Sequence, residues 1–298
     1  MDFDTFLDQA WTEHAADAPA VAARLQAQGL ALVSTEARIV PMAHLAHHVL
    51  GEHLARWQDG LQFQQQLGAL PCCAAESAAG QALRRYSASL RLCGGLADER
   101  EGFPASERIR ITAMAAANLA CHDAPRAAAL LDDALAQADA AALADADPAH
   151  RALAIAGNGI AGTLEDKAGR STVERQLMIR GAQMARRYWA PAGTWLEVER
   201  AEYRLAKTWL QAGELARARQ HAQQCLEVVH ANQGAALEQF FGWEALGMIE
   251  RAAGNATGHA QALAQARTAF AGLGDADRPW CQASLDQLET ATAAAPTH

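Results

Sequence analysis

Proline stands in this chain where helices begin and almost nowhere else. Pro19, Pro41, Pro104, Pro125, Pro148, Pro191 and Pro279 each lie just before, or inside the start of, a stretch whose apolar residues recur with helical period. The ring fits a first helical turn because the N–H it lacks has no intrahelical acceptor there. Asp123-Ala124-Pro125 and Asp147-Pro148 put a capping carboxylate ahead of the ring, and Ser171-Thr172-Val173-Glu174 has capping-box spacing. These signals predict helices over 2–15, 19–29, 41–57, 59–69, 74–93, 104–121, 124–139, 148–166, 171–188, 192–212, 214–231, 234–253, 257–271 and 278–292. Linkers this short make sequential helices antiparallel neighbours.

Composition closes off the sheet-based alternatives. About a quarter of the residues are Ala, which has the lowest helix cost of any residue. Val and Ile together contribute about 15 residues and aromatics 6%, so the chain is short of what packs on a pleated surface. An all-α fold is expected, and 298 residues suffice to bury a core.

The net charge of −9 argues against a nucleic-acid binder, because neutralising phosphates needs a basic face. Lys167 and Lys207 are the only lysines, an Arg bias that follows bacterial-like base composition. The acidic start, Met1 to Asp8, has neither the basic nor the apolar region of a secretory signal. No run reaches the roughly 18 apolar residues of a membrane helix; 134–146 is broken by Asp139 and Asp145. Cys72, Cys73, Cys93, Cys121, Cys225 and Cys281 form no CxxC and read as small buried residues in a reducing compartment. The expected location is therefore cytoplasmic.

Repeats point to an architecture. The small residues in the middle of successive inner helices are Ala115, Gly157, Ala206 and Gly247, at intervals of 42, 49 and 41 residues, a period suited to helical hairpins. The clearest copy is Leu205-Ala206-x-x-Trp209-x-x-x-Gly213-Glu214-x-x-x-Ala218-x-x-x-Ala222-x-x-Cys225. Ala206, Ala218 and Ala222 let two helices approach closely, Gly213 permits the turn, and Leu205 with Trp209 fills the seam. Trp243-x-x-Leu246-Gly247-x-x-Glu250-x-x-x-Gly254-Asn255 matches the first half and needs a one-residue insertion to reach Ala260. Ile111-x-x-Met114-Ala115 leads through Asn118 and His122 to Ala127, Leu131 and Ala134 without the turn glycine.

This pattern resembles the tetratricopeptide repeat (TPR), in a divergent form with extended helices. The resemblance covers 200–270, extends with departures over 104–190, and is loosest before that. It implies a right-handed α-solenoid of antiparallel hairpins whose concave groove is lined by the first helix of each pair. The chain then reads as one repeat domain, 1–298: divergent helices over 1–100, hairpins over 104–271, a capping helix over 278–292 and a frayed tail over 293–298.

With Ala206 as the seam residue, Arg200, Tyr203 and Lys207 face the groove with Arg204 beside them. Arg200, Arg204 and Lys207 fall at i, i+4 and i+7, one stripe of charge. The same offsets give Arg151 and Asn158 on the preceding inner helix, and Phe241, Glu244, Met248 and Arg251 on the following one. In TPR domains that hold peptide termini, Lys, Arg and Asn at such offsets clamp a carboxylate. Here Lys207 stands where that pattern wants Asn, and the next helix offers no partner lysine. The expectation is that Arg151, Asn158, Arg200, Tyr203, Arg204 and Lys207 form a basic pocket for an acidic peptide or C-terminal carboxylate, with Glu244 and Met248 on its far wall. The plainer alternative is a solvated face with pairs such as Arg200 to Glu197. Trp189, Trp195, Trp209, Trp243, Phe240 and Phe241 crowd the same region, more as core than as groove wall.

Other motifs point to less. Gly157-Asn158-Gly159-Ile160-Ala161-Gly162 matches GxGxxG, but no strand is expected before it, and close helix packing explains it better than dinucleotide binding. His44, His48 and Glu52 fall at i, i+4 and i+8, and two imidazoles so spaced can hold a divalent ion. His53 is one residue too far for HxxEH, which turns it off that face of an α-helix, so a structural role is the default for these histidines. Cys72-Cys73 follows Pro71 at an expected helix start, where the dipole favours a thiolate; packing is the default. No GxSxG, P-loop or HExxH is present. The chain thus reads as a non-enzymatic peptide- or protein-binding adaptor that calls for no cofactor. A ligand-sensing domain is the second reading, and a metal-dependent enzyme built on His44 the third.

Overall fold

The computed structural model describes residues 1–290, and the expected frayed tail lies outside them. The fold is all-α: 78% of the chain is helical, and the described residues contain no strand. It divides into two compact units, Met1–Ala156 and Gly157 onward.

The first unit contains α1 (Phe3–Glu13), α2 (Ala18–Arg24), α3 (Ile39–Ala46), α4 (Trp57–Gly68), α5 (Ala78–Cys93), α6 (Ala105–Leu119) and α7 (Ala124–Ala141). Helix α8 (Pro148–Glu165) runs across the boundary. The second unit continues with α9 (Thr172–Ala192), α10 (Trp195–Gln211), α11 (Leu215–Ala231), α12 (Ala236–Ala252), α13 (Ala256–Ala271) and α14 (Arg278–Glu289). No helix among the described residues is long and apolar enough to cross a membrane.

Short polar side chains start most of these helices by accepting orphan backbone N–H groups. Asp2, Asp17, Ser77, Asp123 and Asn255 cap α1, α2, α5, α7 and α13. Ser171-Glu174 and Thr194-Glu197 close full capping boxes on α9 and α10. Two expectations about boundaries are corrected. Pro191 lies in the last turn of α9 rather than opening the next helix, whose start is fixed by Thr194. Cys72 and Cys73 lie in the turn before α5, which begins only at Ala78, so no helix dipole reaches them; burial raises the Cys73 thiol above its ordinary value.

The first unit departs from α geometry in two places. Helix α2 continues into a π-helical turn at Leu25–Gly29, and α3 into a longer one at His47–His53. A π turn closes its hydrogen bonds i→i+5 and so widens the helix. The second leaves through Arg56, whose N–H donates to Leu50 O at 2.7 Å, and through Ala55 at φ +50°. Packing holds this stretch, because Val49, Leu50, Leu45 and Ala46 are fully buried beside Phe6, Leu25 and Phe63.

The second unit is more regular. Helix α10 packs on α11 and α12 on α13 as sequential hairpins, with α11 against α12 and α14 covering α12 and α13. Ala206, Ala218 and Ala222 have no exposed surface and Trp209 only 5%, at the seam where sequence put them. Gly213 and Gly254 carry φ of +79° and +70° at the two hairpin turns, a conformation glycine adopts without strain. The GxGxxG match falls wholly inside α8, which excludes a strand–loop–helix phosphate cradle. At Gly157 the reason for glycine is contact: a Cβ there would lie 2.5 Å from Gly181 O on α9. A Cβ on Gly181 would in turn meet the Ile160 side chain at 2.8 Å.

Candidate functional site

A hollow of about 450 Å3 opens in the second unit beside α10, α12 and α14. Asn158, Arg200, Tyr203 and Arg204 line it, together with Glu199, Glu238, Phe241 and Trp280. The aromatic members form a row, with ring centroids 5.6 Å apart from Tyr203 to Phe241 and 5.0 Å from Phe241 to Trp280. Trp280 is 64% exposed, an unusual place for the largest apolar side chain.

The cations of α10 come with carboxylates. Arg204 donates to Glu165 Oε2 at 2.6 Å and reaches Asn158 Oδ1 at 3.4 Å, and Thr208 Oγ1 donates to the other oxygen of Glu165. Burial raises the Glu165 carboxyl above its ordinary value, against the opposing pull of Arg204 and Thr208. Lys207 Nζ lies 3.2 Å from Glu244 Oε1 and 3.5 Å from Met248 Sδ. Tyr203 donates its hydroxyl to Glu244 Oε2 at 3.2 Å, and burial raises that phenol well above its usual value. Glu244 is buried and held by these two donors, so Lys207 serves first as its counter-ion.

Arg200 differs from its neighbours. Its side chain is 63% exposed, with Glu238 Oε1 3.6 Å away. Glu238 lies on α12, while Glu197 closes the α10 capping box. The structure therefore gathers Asn158, Arg200, Tyr203 and Arg204 at the hollow. It sets Lys207, Glu244 and Met248 together in a neighbouring cluster, and leaves Arg151 exposed on the part of α8 that belongs to the first unit. A wholly basic pocket is not what results, since each of these three α10 cations faces a glutamate.

Glu199, Leu237, Glu238 and Trp280 are members of the hollow that escape a sequence reading. Trp280 opens α14 and looks like part of a capping helix. Glu199 adjoins Arg200 and is 2% exposed. Burial pushes its carboxyl up to about 7; Glu238 raises it further, while Arg200 and the Cys225 thiol, whose Sγ donates at 3.0 Å, pull the other way. Burial also raises Cys225, so its thiol stays protonated beside Glu199, whose carboxyl titrates around neutrality.

The first unit carries a separate constellation. His48 Nδ1 lies 2.6 Å from Glu52 Oε2, as the i, i+4 spacing foretold. His53, expected off that face, has its Nε2 3.0 Å from His48 Nε2. The π turn is the cause, because its wider closure brings residues five apart together. His14, at the end of α1, completes the group: one ligand nitrogen from each of His14, His48 and His53 lies within 4.8 Å of the others. His44 stands outside it, its ring 5.2 Å from Trp11 and stacked at 6.4 Å on Tyr86. Burial lowers His44 and His53 below the ordinary imidazole value and takes His47 down to about 3. His47 is buried against Ser89 and Asn118, whose amide reaches its Nε2 at 3.1 Å.

No protein-family model, no curated protein and no solved structure matches the chain.

Proposed function

We propose that the second unit is a TPR-like stack of right-handed hairpins that binds a peptide segment at the hollow lined by Arg200, Tyr203, Phe241 and Trp280. The observation that carries this reading is the aromatic row ending in an exposed tryptophan, beside a mostly exposed arginine. Aromatic and Arg side chains combine large contact area with oriented donors, which is why they dominate binding hot spots. Lys207 and Arg204 are neutralised by Glu244 and Glu165, so the preferred segment carries one apolar side chain for Phe241 and Trp280 and one carboxylate for Arg200. The protein acts by holding a partner, without chemistry of its own at this hollow.

The test is a fluorescence-polarisation screen of labelled peptides with varied C-terminal residues, repeated with Trp280→Ala and Arg200→Ala. Selection of apolar-plus-acidic peptides, weakened at least tenfold by Trp280→Ala, supports the reading. Equal binding by the wild type and both variants rejects it. A hollow of about 450 Å3 also suits a small carboxylate ligand, and a sensor role is the second reading. Thermal shift against small carboxylic acids, with no peptide bound, favours that reading.

A further inference from the structure

We infer that His14, His48 and His53 bind one divalent first-row transition-metal ion, with Glu52 positioned behind His48. The site lies in the first unit and is independent of the peptide reading. Its donors come from two elements: His14 from the C-terminal cap of α1, His48 and His53 from the π turn. The rings converge, with centroids 4.9 Å apart for His14–His48, 5.1 Å for His14–His53 and 4.6 Å for His48–His53.

Hydrogen bonding selects the tautomers a ligand site needs. His14 Nδ1 lies 2.7 Å from Trp11 O, and a carbonyl can only accept, so that nitrogen carries the proton and Nε2 keeps its lone pair. His48 Nδ1 faces the Glu52 carboxylate in the same way, which leaves His48 Nε2 as a lone pair. A carboxylate behind the distal nitrogen fixes ring orientation and raises ligand basicity, the arrangement found behind metal-bound histidines. Because His48 Nε2 then accepts, His53 donates Nε2–H to it when no ion is bound. On binding, that proton moves to His53 Nδ1 through solvent exchange and Nε2 turns its own lone pair to the ion.

The dimensions suit a small ion. Zn–N bonds of about 2.0–2.1 Å place tetrahedral donors roughly 3.3 Å apart. His48 Nε2 and His53 Nε2 stand at 3.0 Å, and the three donors within 4.8 Å of one another close to that spacing by side-chain rotation. An all-imidazole set favours Zn2+, Co2+, Ni2+ or Cu2+ over Mg2+ and Ca2+, which take oxygen. His53 is exposed, so the fourth position is open to water. Bound there, the ion ties the end of α1 to the π turn.

Calorimetric titration of the chelator-treated full chain with Zn2+, paired with Co2+ absorption spectra, tests this. One ion per chain is expected, with micromolar or tighter affinity, a rise in Tm, and a Co2+ spectrum without thiolate charge-transfer bands. The exposed His53→Ala, which keeps the fold as checked by circular dichroism, is expected to weaken binding at least tenfold and abolish the Tm rise. Glu52→Gln weakens it about tenfold through lost orientation of His48. Absence of saturable binding below millimolar Zn2+ overturns the site. So does binding that His14→Ala and His53→Ala leave unchanged, or a thiolate spectrum, since either places the ion elsewhere.

Discussion

The π turn at His47–His53 and the hairpins of α10 to α13 both bury apolar side chains of a helix, with opposite results. In the hairpins, spacing in sequence maps directly onto faces, and Ala206, Ala218, Ala222 and Trp209 meet at one seam. In the π turn, one extra residue per closure moves His53 from the far side of the helix to within 3.0 Å of His48. Regular helices therefore build predictable walls, and irregular ones bring together side chains that periodicity keeps apart. The histidine group lies in the irregular first unit and the partly apolar hollow in the regular second one.

The contrast can be broken most severely at the seam. Trp209→Ala removes a 5%-exposed ring from the second-unit core and is expected to cost about 4 kcal/mol in chemical denaturation. Lys207→Ala leaves Glu244 buried with Tyr203 as its remaining donor, and a loss of about 2–3 kcal/mol should follow. A loss below 0.5 kcal/mol there would show Lys207 free for a ligand. Gly157→Ala pushes a methyl group into Gly181 O and should cost about 2 kcal/mol. Gly102→Ala, with nothing within 4 Å, should stay within about 0.5 kcal/mol of the wild type.

The next effect depends on pH. The folded-state pKa of Glu199, about 7, is above the 4.5 of an unfolded chain, so between those values the native state holds a proton that the unfolded state has released. Its contribution is fully present below pH 4.5 and declines as pH rises through 7. Glu199→Gln keeps the neutral shape, faces the same Cys225, Glu238 and Arg200, and should raise Tm by a few degrees at pH 8 while changing little at pH 5. An equal shift at both pH values would assign the effect to packing. Smallest in stability is Arg200→Ala, expected within about 0.5 kcal/mol because the side chain is 63% exposed; its consequence belongs in the peptide titration.

Much of the fold was legible because helix starts are local events. Asp17, Asp123, Ser171 and the prolines beside them act within one turn, and the structure begins helices within a few residues of each. Pro191 misled for the complementary reason: a last helical turn tolerates it when Thr194 supplies the next start. The two π turns left no local signature, since their extra residue is held by burial of Leu25, Val49 and Leu50 against distant elements. The stripe of Arg200, Arg204 and Lys207 was legible as a helix face, but its charge balance was not. Glu165, Glu238 and Glu244 come from other helices, and only folding brings them opposite. His14 joined the histidine group from thirty-four residues upstream of His48, a distance over which no spacing rule operates.

The crossing of α8 and α9 at Gly157 and Gly181 carries a mechanical implication. Main chain rests on main chain there, so the separation of the two rods is fixed by atoms that every amino acid shares, and no rotamer is available to take up slack. Neighbouring cavities can be enlarged or filled by mutation while this one spacing stays put, which makes it the natural fiducial mark for measuring any ligand-driven movement in the second unit.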